Sequence, residues 1–182
     1  MRTSERRIFV IHFLGGLRFG GIEKLVYDLV EAQQKSQKLK PQILVLKDQG
    51  EFKEKFSQLE IKITAINPRS TYNFSIKNYR TAVNVFKETD LIHFHGFHLI
   101  IAVIAFFSRA SIVYTEHGNF GFGREVKISD KFNHFLRKCY FKWFVDVVVC
   151  NSQFTKGYLK EKWNLSKKNS QISKCLQGFF TA

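Results

Sequence analysis

Apolar positions arrive along this chain in short blocks whose spacing alternates between strand-like and helix-like. Residues 8–13 are a continuous apolar run closed by glycines, as in a strand buried on both faces. Past that turn, Ile22, Leu25, Val26, Leu29 and Val30 recur at helical spacing, and the helix fades in the polar stretch 33–40. Pro41 introduces a strand at 43–46, Gly50 opens a short helix carrying Phe52, Phe56 and Leu59, and 61–66 alternates as a third strand. A polar loop leads to a helix with Ile76, Tyr79, Val83 and Phe86 on one face, then a strand at 91–94 and a buried helix at 98–107. The strand 112–115, the loop 116–124, a long helix 129–144 and the strand 145–150 follow. Asn151 or Ser152 caps a helix reaching about 163, and a last short strand is expected at 172–176.

Strands alternating with helices over 182 residues predict one α/β domain, with a doubly wound, mainly parallel sheet covered by helices on both faces. In such a sheet, ligands gather beyond the carboxyl ends of the strands. The loops there are 14–21, 95–98, 116–123 and 151–152. The first contains Gly15, Gly16, Gly20 and Gly21 between a strand and a helix. A helix that opens after a glycine turn offers free N–H groups to a phosphate or a nucleotide sugar. The spacing is not the dinucleotide fingerprint, and a tight turn that binds nothing is the competing reading. For Gly15 and Gly16, simple turn geometry is favoured.

Charge changes the picture. Twenty-nine Lys and Arg against 15 Asp and Glu give a net charge of +14, which attracts membrane phospholipid, nucleic acid or a phosphorylated substrate. On a helix spanning 127–142, Ile128, Phe132, Phe135, Leu136 and Cys139 form one apolar face. Lys131, His134, Lys138, Phe141 and Lys142 share another, and this basic stripe with an exposed aromatic reads as a membrane-surface contact. An ordinary solvated helix face is the alternative. Cys139, Cys150 and Cys175 lack metal or redox spacing and are expected as reduced, cytoplasmic thiols. The apolar run 99–107 is about half a membrane span, and the basic N-terminus lacks a cleavage site, so neither a span nor a targeting signal is expected.

His93, His95 and His98 fit neither a metalloprotease nor a zinc-finger pattern, and no metal is expected there. His95 is the better cleft-lining contact, and His93 reads as a packed strand residue. Glu116 is a candidate acceptor of a hydroxyl proton beside His117, but neighbours on a strand point to opposite faces.

Four segments together resemble the family 4-like glycosyltransferases. Gly20-Gly21-Ile22-Glu23-Lys24 through Leu29 is similar to their G-G-x-E signature, and Asp90-Leu91-Ile92-His93-Phe94-His95 to their D-x-x-H-x-H strand end. Val113-Tyr114-Thr115-Glu116-His117-Gly118 resembles the strand and histidine that follow, and Asp146 through Ser152 a further strand closing on serine. The resemblance implies the acceptor-side, N-terminal half of an enzyme built from two Rossmann-like domains. The donor-binding half, with its paired glutamates, would lie outside these 182 residues, and the isolated chain would complete no transfer. It further implies a retaining transfer from a nucleotide sugar to a lipid-linked or polysaccharide acceptor, without metal or other cofactor. Gly20 and Gly21 would approach the donor diphosphate and His117 would lie at the donor sugar. His95, Glu116, Asn119 and Ser152 would line the acceptor cleft, with Arg124 in the same loop as Asn119. The rival function is a non-catalytic basic module for an anionic surface or polymer. Nucleic acid is the weaker partner, since no RNA-binding signature appears. A cytoplasmic protein, peripheral at the inner face of the membrane, is expected.

Overall fold

Six apolar runs form strands and the amphipathic stretches between them form helices. The computed structural model describes residues 6–67, 79–118, 128–163 and 165. The strands are β1 (Ile8–Leu14), β2 (Leu39–Val45), β3 (Ile63–Ala65), β4 (Leu91–Phe94), β5 (Ser111–Glu116) and β6 (Val147–Cys150). The helices are α1 (Gly21–Lys35), α2 (Phe52–Gln58), α3 (Arg80–Lys87), α4 (Leu99–Phe106), α5 (Ile128–Phe144) and α6 (Gln153–Trp163). All strand pairs are parallel, in the order β3-β2-β1-β4-β5-β6. The direction of winding reverses between β1 and β4, which makes their carboxyl ends the topological switch point. This is the doubly wound, Rossmann-like α/β fold that the alternating pattern predicts. The expected features at Ile76, Asn119, Arg124, Cys175 and 172–176 lie outside the described residues.

Alternation along the strands divides the core in two. Ile11, Phe13, Ile92, Phe94, Ile112, Tyr114 and Val148 face α3, α4, α5 and α6 through Phe86, Ala102, Phe141 and Leu159. Leu14, Ile43 and Val45 face α1 and α2 through Val26, Val30, Phe52 and Phe56. Two motif carboxylates tie the strand starts together. Asp90 Oδ2 accepts the Phe9 N–H at 2.9 Å, and Asp146 Oδ2 accepts the Ile112 N–H at 2.7 Å. Each satisfies a backbone donor at the start of a neighbouring strand. Pro41 lies inside β2 instead of introducing it, paired with Val10. β3 pairs with β2 only from Ile43 onward, so proline's missing N–H removes no ladder bond on that side.

Helix α5 is rotated from its expected orientation. Phe141, expected as the exposed aromatic of the basic stripe, is 1% exposed. Its ring lies 4.3 Å from Tyr114 and 5.2 Å from Trp163. Phe132 and Phe135, expected inside, are 62% and 59% exposed. The cause is the surface to be covered: Tyr114 and Trp163 offer an aromatic wall, and burying a whole ring there is worth more than burying Phe135 in the open. Lys131 and Lys142 do face solvent, Lys142 with its ammonium 5.7 Å from the Trp143 ring, whereas Lys138 is half-buried and donates to the Lys162 carbonyl at 3.3 Å. The solvent face of α5 is therefore still basic and aromatic, through Phe132, Phe135 and Trp143 in place of Phe141.

Denaturant unfolding should separate the two faces. Phe141→Ala should lower stability by about 3–5 kcal/mol, the usual range for an excised core ring, and Phe135→Ala by no more than about 0.5 kcal/mol. Equal effects would contradict the observed rotation.

Candidate functional site

Three polar strand residues meet where the winding reverses. His12 of β1 sits opposite His93 of β4, and His95 follows two residues later on the same side of the sheet. All three are buried. His12 Nε2 bonds Gln33 Oε1 of α1 at 2.8 Å, and His12 Nδ1 lies 3.0 Å from His95 Nε2. His93 Nε2 bonds Thr115 Oγ1 of β5 at 2.7 Å. The His93 ring lies over the His95 ring at 4.1 Å between centroids, and His117 joins at 5.8 Å from His95. Burial lowers the pKa of His12 and of His117 to about 4. It also holds His93 and His95 well below 6.5, with neighbouring imidazoles adding repulsion. The cluster is thus neutral at pH 7, a stack of donors and acceptors.

Among the described residues this is also the one group able to hold a metal, since candidate ligand atoms of His12, His93 and His95 all lie within 4.8 Å of one another. Two of those nitrogens, His12 Nδ1 and His95 Nε2, already bond each other at 3.0 Å. Sequence spacing reveals none of this, because His12 comes from a different strand.

His117 ends the β5 side of the rim. Its ring Nε2 is buried without a hydrogen-bond partner, and its carbonyl accepts the Asn151 side-chain N–H at 3.3 Å. Gly118 follows at φ +80°, where a Cβ would come within 3.1 Å of Thr155 Oγ1. Glu116 lies on the other side of the strand, as alternation requires. One oxygen accepts the Gly118 N–H at 3.2 Å and the other is 3.7 Å from Arg137 of α5. Burial raises its pKa despite the guanidinium. Ser152 caps α6, its hydroxyl accepting the Thr155 N–H at 3.1 Å. Asn151, the alternative cap expected from sequence, instead ties the His117 loop to this cap.

At the β1 end, Gly20 is the extended N-cap of α1 and Gly21 its first residue. A Cβ on Gly21 would meet nothing within 4 Å, whereas one on Gly20 would come within 2.6 Å of a Glu23 carboxylate oxygen. Glu23, in the first turn of α1, thus packs its carboxylate against Gly20. Gly15 and Gly16 have no close contacts that forbid a side chain. The loop is braced elsewhere: Gly50 adopts φ +137° against the Leu17 carbonyl, where any Cβ would collide at 1.9 Å.

A parallel, doubly wound sheet with a polar, histidine-rich switch point defines a Rossmann-like α/β domain. The profile of Glycosyltransferase Family 4 matches residues 19–173, and the chain belongs to that family. Its fold is similar to a glycosyltransferase from Rickettsia africae (TM-score 0.65, 17% identity, 90% of this chain and 42% of that one). It is also similar to Anabaena Alr3699/HepE in complex with UDP and glucose (TM-score 0.62, 16% identity, 89% and 43%). A third likeness is to Staphylococcus aureus MnaA with UDP (TM-score 0.63, 15% identity, 90% and 42%). The chain spans less than half the length of each. Among curated proteins none matches significantly.

The buried imidazoles set a pH dependence. Their folded pKa values lie below the unfolded value of about 6.5, so the native state binds fewer protons and is favoured above that pH. Stability should drain away as pH falls from 6.5 toward 4. Between pH 7 and 5 His12 alone accounts for about 2 kcal/mol, and Glu116, shifted upward, offsets only part of the total. The urea midpoint should therefore drop over this interval; a flat profile would mean that the cluster is hydrated.

Proposed function

We propose that this chain is the acceptor-side half of a retaining glycosyltransferase that takes its sugar from a nucleotide donor. The observation that carries the reading is the convergence of the His95 and His117 rings, 5.8 Å apart, at the switch point of a Family 4 domain. Because the strands are parallel, the Gly20–Gly21 turn after β1 opens on the same rim as His117 after β5, two strands over with β4 between them. Two of the similar structures contain UDP, which supports a nucleotide sugar as donor. Their greater length supports a second domain, in this chain or another, that completes the donor site.

In this reading the backbone N–H groups of Gly20 and Gly21 meet the diphosphate once Glu23 swings aside. His117 lies at the donor sugar, where its neutral ring and its carbonyl stabilise positive charge developing at the anomeric carbon by electrostatics. His95 and Ser152, with Asn119, line the acceptor side, and Glu116 shapes the His117 loop from behind. Neither metal nor any other cofactor is used. With the complete enzyme, a panel of UDP- and GDP-sugars and a lipid or polysaccharide acceptor, transfer should proceed with retained anomeric configuration and survive chelation by EDTA. His117→Ala should cut kcat by about 10²-fold, the usual loss for one electrostatic contact to the reacting centre, without altering thermal unfolding. An inverted product, or full activity in His117→Ala, would overturn the assignment.

The acceptor is proposed to be carried by, or assembled at, an anionic membrane, with the enzyme peripheral on the cytoplasmic face. No helix among the described residues is long and apolar enough to cross a bilayer. The solvent face of α5 supports surface contact instead, with Lys131 and Lys142 beside exposed Phe132, Phe135 and Trp143. Sedimentation with vesicles containing phosphatidylglycerol should recover the protein, neutral vesicles should not, and Trp143→Ala with Phe135→Ala should weaken recovery severalfold. Tight RNA retardation without lipid preference would favour a nucleic-acid module instead.

A further inference from the structure

The histidine cluster contains a directional chain that begins at Gln33. Its Oε1 has lone pairs and no proton, so the 2.8 Å bond to His12 requires the N–H on His12 Nε2. A neutral imidazole carries only one N–H, which leaves His12 Nδ1 bare. The 3.0 Å contact from that atom to His95 Nε2 then requires His95 to donate. His95 has no second proton, and its Nδ1 is left as a lone pair. That atom is buried on a residue only 3% exposed, and it has no hydrogen-bond partner among the described residues. An unmet acceptor in the interior costs free energy unless a donor arrives.

We infer that Gln33 is a positioning residue which, through His12, fixes His95 as the Nε2–H tautomer and so presents His95 Nδ1 as an acceptor for a substrate hydroxyl. The chemistry of the rim narrows the ligand class. His117 Nε2 is likewise buried and without a partner, on a ring 5.8 Å from that of His95. An alcohol answers both needs when the His117 proton is on Nε2, giving its own proton to His95 Nδ1 while its oxygen accepts from His117. An ionised phosphate oxygen has no proton to give to a bare nitrogen. The pair therefore selects an uncharged polyhydroxyl group, which deepens and rests on the sugar-transfer reading given above. No proton is exchanged along the chain; it sets direction only.

Histidine tautomers are read directly by long-range 1H–15N spectra of 15N-histidine-labelled protein at pH 7. His12 and His95 should both show Nε2–H with an unprotonated Nδ1. Gln33→Leu removes the acceptor that orients His12, and His95 should then populate both tautomers. Gln33→Glu, whose carboxylate can only accept, should restore the proton on His12 Nε2. A His95 Nδ1–H form in the unmodified protein, or spectra unchanged in Gln33→Leu, would overturn the positioning role. Glucose and inorganic sulfate, which at pH 7 has no proton to donate, then serve as probes of ligand class. Saturating glucose should move His95 Nδ1 toward the range of a hydrogen-bonded nitrogen, sulfate should not, and the response should fall severalfold in Gln33→Leu. A response to sulfate, or to neither, would overturn the hydroxyl assignment. The tautomer result is independent of any transfer assay, so failure of the glycosyltransferase reading would show separately, as absent transfer beside an intact tautomer.

Discussion

Burying three imidazoles on the two central strands is the constraint from which the site follows. β1 and β4 have strands on both sides, so their backbone groups are spoken for and their side chains must find partners across a crowded face. An apolar residue would solve that at no cost. Histidines solve it only by bonding to one another, to Gln33 from the helix above and to Thr115 from the next strand. The result is a polar network that is satisfied at its inner end and open at the rim. Such networks are rigid when complete, and here the atoms without a partner, His95 Nδ1 and His117 Nε2, lie at the carboxyl ends of β4 and β5.

The rim is held by contacts that are individually modest. Asn151 anchors the His117 carbonyl, Ser152 caps α6 beside it, and Thr155 closes against Gly118. Across the switch point, the glycine turn is fixed by bonds between Leu17 and the segment that opens α2. The two walls thus rest on separate helices, α6 and α2, while His95 between them is tied to the sheet through the Phe13 carbonyl at 3.1 Å. Rigid strands carry the cluster and short loops carry the parts that meet a ligand, which is the usual division of labour in such sheets.

The layered fold was legible because each strand is a short apolar run with a turn after it, and the helices other than the wholly apolar α4 and the ring-encircled α5 keep their apolar residues to one side. The second of these is instructive. Phe132, Phe135, Tyr140, Phe141, Trp143 and Phe144 encircle α5, so its periodicity has no unique phase, and only the shape of the surface it covers decides which rings go inside. His93 and His95 could be placed on a strand end, but His12 and His95 are 83 residues apart and their meeting depends on a strand order that no local pattern contains. Gln33 was invisible for the opposite reason: a polar residue near a helix end looks like fading amphipathicity. Glu116 and His117 were separable in advance, because alternation along a strand needs no tertiary information.

The direction of α5 has a geometric consequence. It returns antiparallel to the strands, with its lysines and exposed rings along its length. A molecule resting on that helix would lie on its side, strands level with the lipid headgroups and the histidine rim opening sideways. A lipid-borne sugar chain would then enter laterally, at headgroup height, with its anchor still in the bilayer. Reach would be set by the width of the sheet, not by how far an acceptor can be pulled into water.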